Sequence, residues 1–386
     1  MRTLAWQSVS PARRSLACAF GTQTSLGVVS FYERQRERIA TPACGLVRDD
    51  IYILGFFCIL QILIYAKKAP CKGRLWQAAN LLHKTIIYNP SKICYTIPQK
   101  GREMMLADCH MHMILDGSDW RAAIRRHSEK PDDAWIRTQL RTYQSLGFTY
   151  LRDGGDRWGA GSRAREFAPE YGITYRTPLA PLCKKGHYGA FIGLTYETFR
   201  DYAQLVQQHR KNGADFIKIM ISGLMDFDRF GVLTDEGYPP SDIRELIHIA
   251  HEEGFSVMAH CNGARTAEAA AASGVDSIEH GAYLDKDALH AMVDNHTVWC
   301  PTLSTIGNLR GKGRFDETAV RSILDSAMEN VSQFAHMGGL LAPGTDAGAW
   351  AVPHGSLTEF TLLQEALGPQ CTEILIRGTA AVMEKF

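Results

Sequence analysis

The stretch "LADCHMHMILDG", residues 106–117, sets two imidazoles, His110 and His112, two positions apart behind a short apolar run. On a β-strand, residues i and i+2 point to the same face, so both rings can converge on one metal ion. Four more polar residues interrupt or end apolar runs: Lys218 in "FIKIM", His260 in "VMAHCNG", His280 in "SIEHGAY" and Asp346 in "APGTDAG". A charge placed in such a run is costly to bury unless it is paired or ligating. Imidazole nitrogen together with carboxylate oxygen suits zinc, with manganese or iron as substitutes.

Positioning these residues needs a repeated unit, and the chain supplies one from residue 104 onward. Apolar stretches rich in Val, Ile, Phe or Ala give way to a polar loop and then to a segment of helical period. The strands expected are 105–111, 148–152, 173–179, 215–221, 255–259, 275–279, 297–300 and 339–343. Helices are expected over 132–146, 162–170, 197–212, 241–253, 264–273, 285–295, 316–337 and 357–383. Six of the segments that lead into strands ("SLGFTY", "YGITY", "KNGADF", "EEGFSV", "ASGVDS", "HMGGLL") carry a glycine suited to capping the preceding helix. Eight such βα units suit an α/β fold of the (β/α)8 TIM-barrel type, whose chemistry sits at the C-terminal ends of the strands. A doubly wound sheet is the alternative, but its usual Gly-rich phosphate loop after the first strand is missing.

The whole chain has 386 residues and a formal net charge of +1, with no basic block, which argues against a nucleic-acid partner. Its ten cysteines form no CxxC pair. Cys109, Cys183, Cys261, Cys300 and Cys371 read as reduced core thiols of a cytoplasmic protein. Residues 1–103 are different material, an N-terminal extension without strand–helix alternation. Their apolar run at 51–66 falls short of the roughly 20 residues that span a bilayer, so a membrane partner is not expected. Lys100-Gly101-Arg102-Glu103 stands just ahead of Met104-Met105, and its codons can be purine-rich like a ribosome-binding site. The expectation is that translation starts at Met104 or Met105, that 1–103 is an over-extended reading frame, and that 104–386 is the folded domain.

The ordered set His110-x-His112, Lys218, His260, His280, Asp346 resembles the amidohydrolase superfamily in its binuclear, carboxylated-lysine subtype. The segments "GADFIKIMISG", "GVDSIEHGAYLD" and "CPTLS" are most similar to imidazolonepropionase-like amidohydrolases and their prolidase-like, Xaa-Pro dipeptidase-related relatives. The resemblance implies two divalent ions, one held by His110, His112 and Asp346 and the other by His260 and His280. It also implies a carbamate on Lys218, formed from carbon dioxide and bridging the ions, a bridging hydroxide as nucleophile, and Asp346 as general base and acid. Near two dications a buried lysine is driven toward the neutral form that carbamate formation needs. Relatives usually add a small β-sandwich from both chain ends, and no complete one is legible here. Asn262 stands where many prolidase-like relatives have an aromatic residue.

The function so implied is hydrolysis of a C–N amide bond in a dipeptide, an N-acyl amino acid or a cyclic amide. His187, Tyr238 and Arg229, with Lys184 and Lys185, lie in the loops 184–196 and 222–240 and are candidate substrate contacts. The partner expected is a small-molecule or dipeptide-like substrate, and assembly as a homo-oligomer stays open. Asp153 reads as a turn residue, and Glu279 as pointing away from the barrel interior. His127, His209, His248, His251, His290 and His336 read as helix-surface residues. A deaminase on this scaffold would place Glu a few residues past the strand-5 histidine, and Gly263 stands there instead. Two alternatives remain: a phosphotriesterase or lactonase on the same ligands, and a catalytically inactive barrel serving as a binding module.

Overall fold

A computed structural model of the chain describes residues 106–386. The expected extension over 1–103, with its apolar run at 51–66, lies outside the described residues.

Ten strands run through this region: β1 (Leu106–Met111), β2 (Phe148–Asp153), β3 (Thr174–Arg176), β4 (Leu182–Lys184), β5 (Leu194–Tyr196), β6 (Ile217–Met220), β7 (Val257–Cys261), β8 (Ser277–His280), β9 (Val298–Cys300) and β10 (Leu340–Leu341). They form two sheets, β1-β2-β3 and β10-β9-β8-β7-β6-β4-β5, and every paired neighbour is parallel. Backbone bonds join the sheets at both margins. Cys109 N–H donates to Pro343 O at 2.8 Å and Asp346 N–H to His110 O at 2.7 Å. On the other side Asp215 N–H donates to Thr177 O at 3.0 Å.

Parallel strands need covered faces, and the helices supply the cover. They are α1 (Trp120–His127), α2 (Asp133–Ser145), α3 (Ala160–Phe167), α4 (Phe199–Lys211), α5 (Pro240–Glu252), α6 (Ala264–Ala272), α7 (Lys286–Asp294), α8 (Ser304–Gly307), α9 (Glu317–His336), α10 (Thr358–Leu367) and α11 (Cys371–Lys385). In α5 the buried residues are Ile243, Leu246, Ile247 and Ala250, the i, i+3, i+4, i+7 stripe of an amphipathic helix. A capping box between Thr198 and Asp201 starts α4. All six capping glycines take positive φ, between +67° and +86°. Among the described residues no helix is long and apolar enough to cross a membrane.

The structure departs from the sequence reading where proline or glycine punctuates. The strand expected over 173–179 stops at Arg176, because Pro178 and Pro181 have no N–H to give a ladder. Two further short strands, β4 and β5, follow it. The single helix expected over 357–383 is broken at Gly368-Pro369, where Gly368 turns to φ +60°. Helix α1, capped by Asp119, lies outside the expected helix ranges, although His127 at its end is read as helical.

Alternation sorts the strand residues. Ile217, Ile219, Val257, Ala259, Cys261 and Ile278 join the large core that also holds helix residues. Lys218, Met258, His260 and Glu279 therefore face the other way. There a smaller apolar cluster of Ala107, Cys109, Tyr150, Phe216, Met258, Val298, Cys300 and Ala342 is closed by Val382 and Phe386 at the end of the chain. The five described cysteines are free and buried, as expected of core thiols.

Candidate metal centre

Five polar residues end or follow strands and a sixth, Lys218, stands within β6, and the fold brings the six together. His110 Nε2 lies 3.4 Å from His112 Nε2 and 3.6 Å from Asp346 Oδ1, and His112 Nε2 lies 3.4 Å from the same oxygen. These three offer ligand atoms within 4.8 Å of one another. His280 adjoins them, with its ring 5.0 Å from that of His110 and its Nδ1 4.0 Å from Asp346 Oδ2. The His260 ring lies 4.6 Å from His280. Lys218, on the neighbouring strand, is 1 % exposed.

Close backbone approach makes this convergence. A Cβ on Gly344 would sit 2.7 Å from the Cβ of His110, so only glycine lets the Asp346 loop lie against β1. Asp108 clasps the same loop, accepting from Thr345 N–H at 2.9 Å and from the Thr345 hydroxyl. His280, Thr302 and Asp346 all adopt left-handed φ, at +69°, +49° and +53°. Each costs on the order of 1 kcal/mol for a residue with a Cβ, and such strain collects at functional sites.

Hydrogen-bond partners fix which ring nitrogens carry protons. His110 Nδ1 lies 2.6 Å from the Glu279 carboxylate and donates to it, which leaves the Nε2 lone pair facing the cluster. His260 Nε2 donates to Gly223 O at 3.1 Å, leaving Nδ1 as its free lone pair. His280 Nδ1 is held by the Thr302 hydroxyl at 2.7 Å.

Burial keeps all four imidazoles neutral. Loss of solvation, helped by the charge of Lys218, lowers His112 and His260 to about 3. Burial also holds His110 and His280 well below the ordinary range. The same desolvation lowers Lys218 to about 8 and raises Asp346 to about 8. His112 Nδ1, Lys218 Nζ and Asp346 Oδ1 are buried with no hydrogen-bond partner among the described residues. Neutral imidazoles, an orphaned carboxylate oxygen and an orphaned amine in one place fit a site for divalent cations.

Three expectations are corrected here. Glu279 points into the interior, not away from it, and pairs with the Arg152 guanidinium at 2.8 Å. His280 should by alternation face outward with Ile278, and its positive φ turns it back. Asp153 is no turn residue: it ends β2 fully buried, accepting from Met113 N–H at 3.2 Å and the Thr177 hydroxyl at 3.2 Å. His127 and His209 are buried rather than on the helix surface, with His209 held between the carbonyls of Leu205 and Ala180. His248, His251, His290 and His336 are exposed as expected.

The loop residues divide. His187 and Tyr238 meet, with rings 5.0 Å apart, and His187 Nδ1 lies 2.6 Å from Asp235 Oδ2. Arg229 is exposed and paired to Asp226. Lys184 pairs with Asp242 and Lys185 with Glu197. Sequence reading missed Tyr188, whose ring lies 4.7 Å from His260, and it missed Arg152. An arginine inside the "TYLRD" strand was the available signal for Arg152.

The model of the amidohydrolase family matches residues 170–379. An uncharacterized protein of Mycobacterium tuberculosis (strain ATCC 25618 / H37Rv) and one of Mycobacterium bovis are each 30% identical over 143 residues. Those alignments cover 33% of this chain and 38% of each relative, so the chain spans well under half of their length. Among solved structures, a Xaa-Pro dipeptidase with methionine in its active site has TM-score 0.60 at 22% identity, covering 72% of this chain and 75% of its own. Ochratoxinase of A. niger has TM-score 0.58 at 19% identity, covering 72% and 70%. At these identities the likeness is one of fold.

Proposed function

The chain belongs to the amidohydrolase family of hydrolases, and from that premise we propose that it cleaves the C–N amide bond of a dipeptide, N-acyl amino acid or cyclic amide. The observation that carries the reading is the convergence of His110, His112 and Asp346 beside His260, His280 and the buried Lys218. His110, His112 and Asp346 would hold one divalent ion and His260 and His280 a second, with zinc favoured by the ligand types. Bound there, such ions supply Lewis acidity and acidify a water at neutral pH.

The chain's own residues prepare this chemistry. Glu279 and Gly223 O accept hydrogen bonds from the ring N–H groups of His110 and His260, which leaves the opposite ring nitrogen of each with its lone pair. Lys218 is lowered toward its neutral amine, which can add carbon dioxide and lose a proton to give a carbamate. Asp346 Oδ1, which has no hydrogen-bond partner among the described residues, would accept a proton from the attacking water and pass it to the leaving amine. His187 and Tyr238 would contact the substrate from their loops, with Arg229 further out. The bonds across both sheet margins support closure into one (β/α)8 barrel. The partner would be a small-molecule or dipeptide-like substrate and the setting the cytoplasm.

The test is a screen of dipeptides, N-acyl amino acids, cyclic amides, lactones and phosphotriesters against zinc-loaded protein, with metal counted per chain. Amide cleavage with two ions bound is the expected result. Ester or lactone cleavage alone moves the assignment to the phosphotriesterase or lactonase reading. No metal and no cleavage leaves the inactive barrel.

A further inference from the structure

Three aromatic rings lead away from His260 of the candidate centre. The Tyr188 ring lies 4.7 Å from His260, tilted by 41°. Phe191 follows at 5.8 Å from Tyr188, and Trp120 at 5.5 Å from Phe191 in an edge-to-face pair. The Arg121 guanidinium covers the far end, 4.3 Å over the Trp120 ring. Tyr188, Phe191 and Trp120 are each half-buried, so part of each side chain stays accessible to solvent, while Phe191 and Trp120 also pack against the core beneath them.

The polar atoms along this row are also unclaimed. No described residue takes the hydrogen bond of the Tyr188 hydroxyl, although its hydroxyl stands within the field of Asp346. Arg121 is exposed, and no carboxylate among the described residues pairs with it. Two neighbouring arginines are engaged by acids, Arg126 by Asp116 and Arg137 by Glu170. The elements that carry the row are independent, since Trp120 opens α1 after β1 whereas Tyr188 and Phe191 belong to the loop between β4 and β5.

We propose that Tyr188, Phe191 and Trp120 form a substrate subsite for an aromatic group attached to the scissile amide, and that Arg121 receives an anionic substituent at that group's far end. The substrate class is thus an aryl-bearing amide with a terminal carboxylate. This inference rests on reading the histidine cluster as an amide-hydrolysing centre. Aromatic faces grip a planar ring by offset and edge contacts, and a guanidinium stacked on Trp is pre-oriented for a carboxylate.

The experiment uses the full chain loaded with zinc and three probes: acetyl-glycine, phenylacetyl-glycine and (4-carboxyphenylacetyl)-glycine. The phenyl group is expected to raise kcat/KM by about tenfold, and the added carboxylate by a further several-fold. Phe191→Ala should abolish the phenyl gain, and Arg121→Gln only the carboxylate gain. In parallel, calorimetry measures the affinity of 4-carboxyphenylacetate against acetate for the same three proteins, with no turnover needed. If no amide is cleaved while the diacid still binds in a Phe191- and Arg121-dependent way, the hydrolytic reading fails and the subsite stands. If wild type treats the three probes alike in rate and the diacid binds no better than acetate, the subsite is wrong. Gains that survive both substitutions overturn it as well.

Discussion

Glu279 accepts a 2.6 Å hydrogen bond from His110 Nδ1 although the two residues stand on strands of different sheets. The other carboxylate oxygen of Glu279 takes the Arg152 guanidinium at 2.8 Å and the Ser277 hydroxyl at 2.6 Å. Arg152 also donates to Cys109 O at 2.7 Å and lies 4.3 Å over the Phe386 ring. All three of His110, Glu279 and Arg152 are inaccessible to solvent. Beneath the histidine cluster lies a dry ion pair that orients the His110 ring.

Removing one partner of such a pair leaves the other charge buried alone. Glu279→Gln should therefore destabilise the fold by about 3–5 kcal/mol, and Arg152→Met by a similar amount. Combining Arg152→Met with Glu279→Gln should cost clearly less than the sum. Urea unfolding of the four proteins gives the cycle, and simple additivity would mean that the pair is not coupled.

Lys218 tests the carbamate. Lys218→Ala should remove most bound metal and most turnover, with partial recovery in added acetate. Lys218→Arg should not recover, because a guanidinium stays cationic and cannot take up carbon dioxide. Reconstitution of wild-type apoprotein should also depend on bicarbonate. Metal content and rate near wild type in Lys218→Arg would leave the lysine as a nearby charge and nothing more.

Gly154 gives a purely steric probe. A Cβ there would meet the His112 ring at 2.1 Å, and its φ is not in the left-handed region. Gly154→Ala should thus displace His112 and lower metal content sharply. The far-ultraviolet dichroism should stay unchanged, since the backbone tolerates alanine.

Glu359 sets a pH dependence from behind the Asp346 loop. Its buried carboxyl accepts from Ser304 N–H at 2.8 Å, and burial raises it from 4.5 to about 8. Between those values the unfolded chain has given up its proton and the folded chain keeps it. Stability therefore falls as pH rises from 4.5 toward 8, by at most about 1.4 kcal/mol per pH unit from this group. Glu359→Gln keeps an acceptor for Ser304 and removes the proton. Its Tm should drop less than that of wild type between pH 5 and pH 8, and parallel Tm curves would contradict this account.

The cluster was legible because polar residues at the ends of buried strands have few reasons to be there. His110, His112, Lys218, His260, His280 and Asp346 were found that way, and the six capping glycines marked where strands begin. Period-two alternation then misplaced Glu279, since it presumes that no residue in the strand turns to positive φ as His280 does. His127 and His209 were read as surface because a helix pattern gives the phase of a stripe and not the depth of its flanks. Tyr188 escaped because its meaning depends on a ring 72 positions later, a contact that no local spacing shows.

The clasp between Asp108 and Thr345 joins positions 237 residues apart. A ribosome adding roughly 5–20 residues per second needs many seconds to cover that interval. Throughout that time the nascent chain carries its paired imidazoles without their carboxylate. A cation that required His110, His112 and Asp346 together would then be captured only after Asp346 emerges, and its loading would be a step of maturation and not of early folding.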